Sequence, residues 1–173
     1  RKVPIMVMNP LRERALERFA DPQDMIEMAT YGSTRIASTY LQVKAGGDAA
    51  AIKGVMKSLL EMEDSLGQVL DFEFIAQHTN GFEALKADLL ATAWPDIEHA
   101  SGLTKAEMEK VAAAYAKTNA TIVTYGMGIT QHNEGTANVR LICDLLMLRG
   151  NLGKPGAGIC PLRGHSNVQG NRT

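Results

Sequence analysis

Arg163 and His165 are the side chains in this sequence whose types and spacing are best suited to chemistry. An arginine guanidinium is permanently charged and carries five donors, whereas an imidazole titrates near neutrality. Because residues i and i+2 of an extended segment point to the same side, an extended chain would direct both side chains into one pocket. Such a pair could bind an anionic group and transfer a proton. The competing interpretation is a disordered tail.

The pair lies in a glycine-rich stretch, residues 150–171, that holds six of the sixteen glycines of the chain. Glycine is favoured where φ must be positive or where another group approaches the backbone closely. The stretch therefore predicts either a tight structural corner or a cradle for a ligand.

A second candidate site is the segment AGGD, which ends in Gly47 and Asp48. Paired glycines let a nucleotide approach the backbone, and the carboxylate beside them can accept from ribose hydroxyls or from a guanine edge. Asp48 would serve equally well as the N-cap of the helix that follows. Both interpretations remain open from the sequence.

The third candidate is GMGITQ, which contains Gly126, Met127, Gly128 and Gln131. Its spacing is not GxGxxG, so it is a weak indication of dinucleotide binding. An ordinary turn between a strand and a helix is the competing interpretation. Met127 could equally belong to the core.

Arg12 stands apart from the other charges in residues 12–18, which indicate a solvated helix face. It falls on the first turn after a predicted strand, where a phosphate or a base could be met. His78, His99 and His132 have no companions at metal-ligand spacing, which favours surface or satisfied-core roles for all three.

Two strand–loop–helix units open the chain. We expect strands in residues 3–8 and 38–43, the first of them buried, and helices in residues 11–20 and from residue 48. Leu11, Ala15 and Phe19 would share one face of the first helix. The second helix carries an apolar stripe formed by Ile52, Val55, Met56, Leu59 and Leu60.

The remainder predicts a helical middle, residues 71–117, followed by one more strand and one more helix. A capping box, Thr104 to Glu107, opens a helix that runs to about Lys117. A strand is expected in residues 120–126, and an amphipathic helix in residues 138–150 is closed by Gly150.

Strands that alternate with helices predict one α/β domain over residues 1–173, with an open, mainly parallel sheet flanked by helices. Ligands of such sheets bind outside the carboxyl ends of the strands. The three loops that carry Asn9, Asp48 and Gly126 would therefore line one rim. The glycine-rich segment could fold back over this rim or lie elsewhere.

Composition narrows the class of protein. The net charge is −1 with no basic run, which argues against nucleic-acid binding, and no apolar run approaches the roughly 20 residues of a membrane span. Cys143 and Cys160 lack partners at metal-ligand spacing and predict thiols in a reducing, cytoplasmic compartment. The start RKVPIMVMNP has no signal-peptide pattern, and its apolar run suggests a piece of something longer.

Several long stretches resemble one family. GMGITQHNEG and LLMLRGNLGKPGAGICPLRGHSNVQGNRT, together with NPLRERALERF, QVKAGGDAAAIKGVMKSLLE and FIAQHTNGFE, are similar to molybdopterin-dependent oxidoreductases of the dimethyl sulfoxide reductase superfamily. The formate-dehydrogenase-alpha-like branch is the most similar, and the resemblance covers the whole chain. It implies a partial, Rossmann-like domain that holds bis-molybdopterin guanine dinucleotide, with molybdenum or tungsten.

The resemblance also implies a role for each candidate residue. The guanosine end would be contacted by Asn9, Pro10, Arg12, Gly47 and Asp48. The pterin and its phosphates would lie near Gly126, Met127, Gly128 and Gln131, and the glycine-rich segment, residues 150–173 with Gly164, would pack against the pterin.

Arg163 matches an arginine that stands beside the metal in formate dehydrogenases and orients the anionic substrate. His165 stands where formate dehydrogenases have glutamine, so it could relay a proton, and the substrate need not be formate. The metal ligand and any iron–sulfur cluster would lie outside this chain, as would the remaining domains and an electron-transfer partner. A non-catalytic nucleotide-binding module and a scaffold are the alternative functions.

Overall fold

The computed structural model describes residues 3–162 and 164, and the chain forms short strands around a block of helices. The strands are β1 Met6–Met8, β2 Arg18–Phe19, β3 Thr34–Arg35, β4 Thr39–Leu41, β5 Ile122–Tyr125 and β6 Gly158–Pro161. The helices are α1 Arg14–Glu17, α2 Met25–Thr30, α3 Asp48–Leu66, α4 Phe72–His78, α5 Phe82–Ala91, α6 Trp94–Ser101, α7 Lys105–Ala116, α8 Met127–Thr130 and α9 Gly135–Met147.

The predicted α/β class with parallel strand pairing is confirmed. Strand β1 pairs in parallel with β4, with Met8 opposite Leu41, and β5 pairs in parallel with β6, with Tyr125 opposite Pro161. A short antiparallel ribbon joins β2 and β3. Within the described residues the strands therefore form three two-stranded sheets.

The core is built around α3, whose predicted apolar stripe is buried along its length. Helices α6, α7 and α9 pack against α3. Gly54 makes this packing possible, because a Cβ at that position would lie 2.2 Å from Met108 Sδ. Thr104 and Glu107 form the predicted capping box at the start of α7.

The prediction of a helix in residues 11–20 is wrong in extent. Only four residues, Arg14–Glu17, are helical, and the chain then enters β2. Leu11 is 68% exposed and Phe19 49% exposed, so the expected apolar face has no body to pack against. The first strand is also shorter than predicted and is not buried, since Ile5 is 41% exposed.

Helix α2, the β2–β3 ribbon, helix α8 and strand β6 were not predicted. Helix α6 lies within the predicted helical middle; it begins with Trp94 and has a proline in its first turn, where proline is tolerated. Strand β6 lies inside the glycine-rich stretch, whose composition gives little strand signal. No helix in the described part of the chain combines the length and apolar character that crossing a membrane requires.

A buried anchor fixes the start of the glycine-rich stretch. Asn151 is 1% exposed, and its Nδ2 donates to Tyr115 Oη at 2.8 Å while its Oδ1 accepts from Thr121 N at 3.2 Å. The Tyr115 hydroxyl in turn donates to Leu145 O at 3.1 Å. One residue earlier, Gly150 has φ +55°, and a Cβ there would lie 2.5 Å from a carboxylate oxygen of Asp71. These contacts fix the direction in which the glycine-rich segment leaves α9.

Candidate functional site

The first rim loop is a closed turn attached to the neighbouring strand. Asn9 N donates to Leu41 O at 3.1 Å, and the Asn9 side chain donates to Leu11 O at 2.7 Å. Gln42 Nε2 donates to Pro10 O at 2.9 Å. Asn9 and Pro10 are thus held at the carboxyl ends of β1 and β4.

Arg12 extends from this loop into solvent. Its side chain is 66% exposed, pairs with Glu17 and lies over the Tyr40 ring, with 5.7 Å between the guanidinium carbon and the ring centroid. These contacts restrain the guanidinium at the mouth of the rim, where it can meet an anion or the face of a base.

The second rim loop gives Gly47 and Asp48 different roles. A Cβ at Gly47 would lie 2.6 Å from Ala100 O, so the close packing of α6 by itself requires glycine there. Asp48 is the first residue of α3 and not its N-cap, because Gly47 occupies the cap and makes no side-chain capping bond. The interpretation of Asp48 as a helix cap is therefore wrong. Its side chain is only 13% exposed, and its carboxylate faces the third loop.

The third loop is open, whereas the second loop is packed against α6. Among the described residues, no heavy atom outside the local chain lies within 4 Å of a Cβ built on Gly126 or Gly128. Met127 is 54% exposed, which rules out the core interpretation for this residue. Gln131 is exposed and its Nε2 contacts Met127 Sδ at 3.5 Å. The loop has room for a group that lies against its backbone.

His132 joins the second and third loops, a role that the sequence did not reveal. Its Nε2 lies 3.9 Å from Asp48 Oδ2 and 3.0 Å from Nδ2 of Asn138. Asn138 is 1% exposed, and its buried Oδ1 has no hydrogen-bond partner in the part of the chain that the structure describes. An imidazole between a carboxylate and a buried amide is a positioned group, whereas the sequence favoured a surface or core role.

The glycine-rich segment returns to the same rim. Strand β6 runs parallel to β5, and Leu162 N donates to Tyr125 O at 2.7 Å, so the segment leaves the sheet beside Gly126. Gly164 is exposed, and none of the other described residues comes within 4 Å of a built Cβ. Arg163 and His165 lie outside the described residues.

The arrangement suits a nucleotide cofactor in its types of group. A half-buried carboxylate, Asp48, can accept from the N–H groups of a guanine or from ribose hydroxyls, and Arg12 can meet a base or a phosphate. Gly126 and Gly128 leave their backbone open to a close ligand. The residues present therefore fit the guanosine and phosphate portions of a molybdopterin guanine dinucleotide. Among the described residues, no three His, Cys, Asp or Glu side chains are grouped to hold a metal ion.

Three residues of the helical block have pKa values above their ordinary values. Burial raises the pKa of Tyr115 to about 12, although the hydrogen bond from Asn151 and the charge of Arg149 oppose the shift. Burial also raises the pKa of Asp144, and burial followed by the charge of Asp144 raises that of the Cys143 thiol. All three groups lie on α7 or α9.

Comparison with known proteins places the chain among longer relatives. No family model matches it. It is 52% identical over 174 residues to the protein YdeP of Escherichia coli K12, covering 98% of this chain and 23% of YdeP. It is 34% identical over 164 residues to formate dehydrogenase H of the same organism, covering 95% of this chain and 21% of that enzyme. The chain thus spans less than a quarter of the length of either relative.

A solved structure shares the fold. Acetylene hydratase from Pelobacter acetylenicus superposes with a TM-score of 0.67 over 88% of this chain and 18% of that one, at 21% sequence identity.

Proposed function

This chain is a formate-dehydrogenase-alpha-like segment of the molybdopterin oxidoreductases, and we propose that it forms part of the domain that holds bis-molybdopterin guanine dinucleotide in a complete enzyme. That enzyme would carry out two-electron redox chemistry on a small substrate, with formate the first to test. The observation that carries the proposal is the contact between Asp48 and His132, which joins the second and third loops. The first loop is bonded to the end of β4, and the glycine-rich segment is bonded to the end of β5.

The proposal divides the rim into two parts. The guanosine end would meet the first and second loops, where the carboxylate of Asp48 accepts and the guanidinium of Arg12 covers a base or a phosphate. The residues of this part are Asn9, Pro10, Arg12, Gly47 and Asp48. Gly47 would contribute through its packing on α6, which sets the position of Asp48.

The pterin end would meet the third loop and the glycine-rich segment. Its residues are Gly126, Met127, Gly128, Gln131 and Gly164. The open backbone at Gly126 and Gly128 supports this placement, because a planar ring or a phosphate can approach it without a clash. The exposed side chains of Met127 and Gln131 are available to the same ligand.

Chemistry would take place beside Arg163 and His165. The bound cofactor supplies a metal, molybdenum or tungsten, that exchanges two electrons with the substrate. Arg163 would bind the substrate carboxylate through paired N–H donors and orient it. His165 would accept or donate the proton that accompanies electron transfer, which the amide of a glutamine cannot do.

The rest of the enzyme would come from outside the chain. The metal ligand, any iron–sulfur cluster, the remaining domains and the electron-transfer partner belong to the complete protein in this proposal. We place that protein in the cytoplasm, supported by Cys143 and Cys160, which are both free thiols. The partial chain alone would be inactive.

The test is the metal and pterin content of the complete protein purified from its own host. Molybdenum and tungsten are measured by mass spectrometry, and released pterin by fluorescence after oxidation. About two pterin nucleotides per metal are expected, as in the bis form of the cofactor, and the variant Asp48→Asn should retain less than the wild type. His99→Gln, on the exposed face of α6, is the control.

Failure of this test would separate the rival functions. A wild-type protein without metal but with bound nucleotide would favour a non-catalytic binding module. A protein with neither metal nor nucleotide, in which Asp48→Asn changes only stability, would favour a scaffold.

A further inference from the structure

Residues 14–36 form an arm that projects from the body of the chain, defined by α1, the β2–β3 ribbon and α2. The ribbon is two residue pairs long, Arg18 with Arg35 and Phe19 with Thr34. Arg18 Nε donates to Ser33 Oγ at 2.8 Å, and Ile36 N donates to Glu17 O at 2.9 Å. The arm is thus closed by bonds between its own two ends.

Helix α2 of the arm buries none of its residues, and its polar groups bond within the arm. Asp24 caps the helix by accepting from Ile26 N and Glu27 N, and Glu27 Oε2 accepts from Asp21 N at 2.8 Å. The apolar side chains of α2 are exposed, together with those of two neighbouring aromatic residues. They are Phe19 at 49% exposure, Met25 at 84%, Ile26 at 76%, Met28 at 52% and Tyr31 at 94%.

Isolated exposed apolar side chains are ordinary, but several large ones close together in the chain, here between residues 19 and 31, indicate an interaction surface. The polar groups of α2 fix its conformation, so this exposed apolar surface is carried by a folded element. Some other surface must cover it.

The charge of the arm limits the kinds of partner that could cover this apolar surface. The arm carries three arginines and four carboxylates, so it has neither the basic excess that anionic lipid surfaces select nor a strong field of either sign. Recognition would therefore rest mainly on the exposed apolar side chains.

The length of the relatives indicates what covers this apolar surface. This chain covers 23% of YdeP and 21% of formate dehydrogenase H, so more than three quarters of such a protein lies outside it. We propose that the apolar face formed by Phe19, Met25, Ile26, Met28 and Tyr31 docks onto another domain of the same polypeptide. The arm would then attach the cofactor rim, which begins at Asn9, to that domain.

The first experiment is oxidation of methionines by hydrogen peroxide in the complete protein, read by mass spectrometry. Met25 should oxidise at least about tenfold more slowly than a free methionine amide, because oxidation follows exposure. Met56, which is fully buried, is the internal reference. Oxidation of Met25 at the rate of the free amide would overturn the proposal, and so would protection that disappears on dilution, which indicates a second copy of the protein.

A second experiment uses substitution and trypsin. Ile26→Asp should release the arm, so that cleavage of the complete protein after Arg18 and Arg35 accelerates at least about tenfold. Gln23→Asp is the matched control, because it adds the same charge at an exposed position of the arm without removing an apolar side chain. Equal cleavage of Ile26→Asp and the control would refute the docking, and neither readout depends on the cofactor.

Discussion

Tyr115→Phe tests whether the buried anchor at Asn151 holds the glycine-rich segment on the rim. The substitution keeps the ring and its packing but removes the hydroxyl that donates to Leu145 O and accepts from Asn151 Nδ2. Asn151 is 1% exposed, so its Nδ2 would be left buried without a partner. Leaving such a group unpaired costs about 1–3 kcal/mol.

The anchor contacts the segment directly, so the cost should appear as easier local opening of residues 151–161. At roughly tenfold per 1.4 kcal/mol, amide hydrogen exchange there should accelerate by about 5- to 150-fold. The assay is exchange measured by mass spectrometry on the complete protein. Tyr31→Phe is the control, because it removes a hydroxyl in the arm, outside the anchor, and keeps the ring proposed to dock.

Asn151→Ala and the double variant complete a double-mutant cycle. If the two side chains act as one anchor, the double variant should cost less than the sum of the single ones by about 1 kcal/mol. Additive effects, or exchange in Tyr115→Phe no faster than in Tyr31→Phe, would refute the anchor.

Alkaline pH probes the same residue independently. Burial raises the folded-state pKa of Tyr115 from 10.0 to about 12, so the folded protein holds this proton more tightly than the unfolded chain does. The resulting stability is complete below pH 10 and is lost as the pH rises from 10 toward 12, by at most about 2–3 kcal/mol. Tyr115→Phe should lack this component of the alkaline loss, as measured by urea unfolding at pH 9 and pH 11.5. An identical loss in the variant would contradict the assignment.

Three further outcomes are expected in the complete protein. His165→Gln should lower turnover and shift its pH profile, and an unchanged profile would exclude a proton-transfer role. Asp48→Asn and His132→Gln should show a coupling of about 0.5 kcal/mol in thermal unfolding, as residues in contact do, whereas strict additivity would mean that the 3.9 Å contact carries no energy. Iodoacetamide should label Cys160 faster than Cys143, since Cys160 is exposed and burial raises the pKa of the Cys143 thiol; equal rates would contradict this.

Elements with a strong local pattern could be predicted from the sequence, and the rest could not. The periodic stripe of α3 and the capping box at Thr104 are local signals, and both give helices where expected. The chain enters β2 after Glu17 because pairing with β3 overrides the helical pattern of residues 11–20, which lacks a surface to bury its apolar face. The sequence pattern of residues 11–20 does not show whether a surface is present to bury the apolar face.

Some features of the candidate site could likewise be predicted from the sequence, and others could not. The positions of Asn9 and Gly126 after strands follow from the strand–loop–helix pattern, although β1 and β5 belong to separate sheets. The contact between Asp48 and His132 joins residues far apart in the chain, and Tyr115 meets Asn151 36 residues away, so neither has a local signature. The roles assigned to Arg163 and His165 remain predictions.

The two-stranded sheets leave strand edges unpaired, which affects how the chain behaves in solution. In the described residues, β1, β4, β5 and β6 each bond to one neighbouring strand, so each has an outer edge of backbone donors and acceptors without a strand beside it. Such edges are templates on which other chains can add strands, and they lead to aggregation when exposed. Residues 1–173 produced alone would therefore tend to self-associate through these edges even while the helical block stays folded. A charged side chain placed at Ile122, which is 59% exposed on β5, is the substitution most suited to block that association.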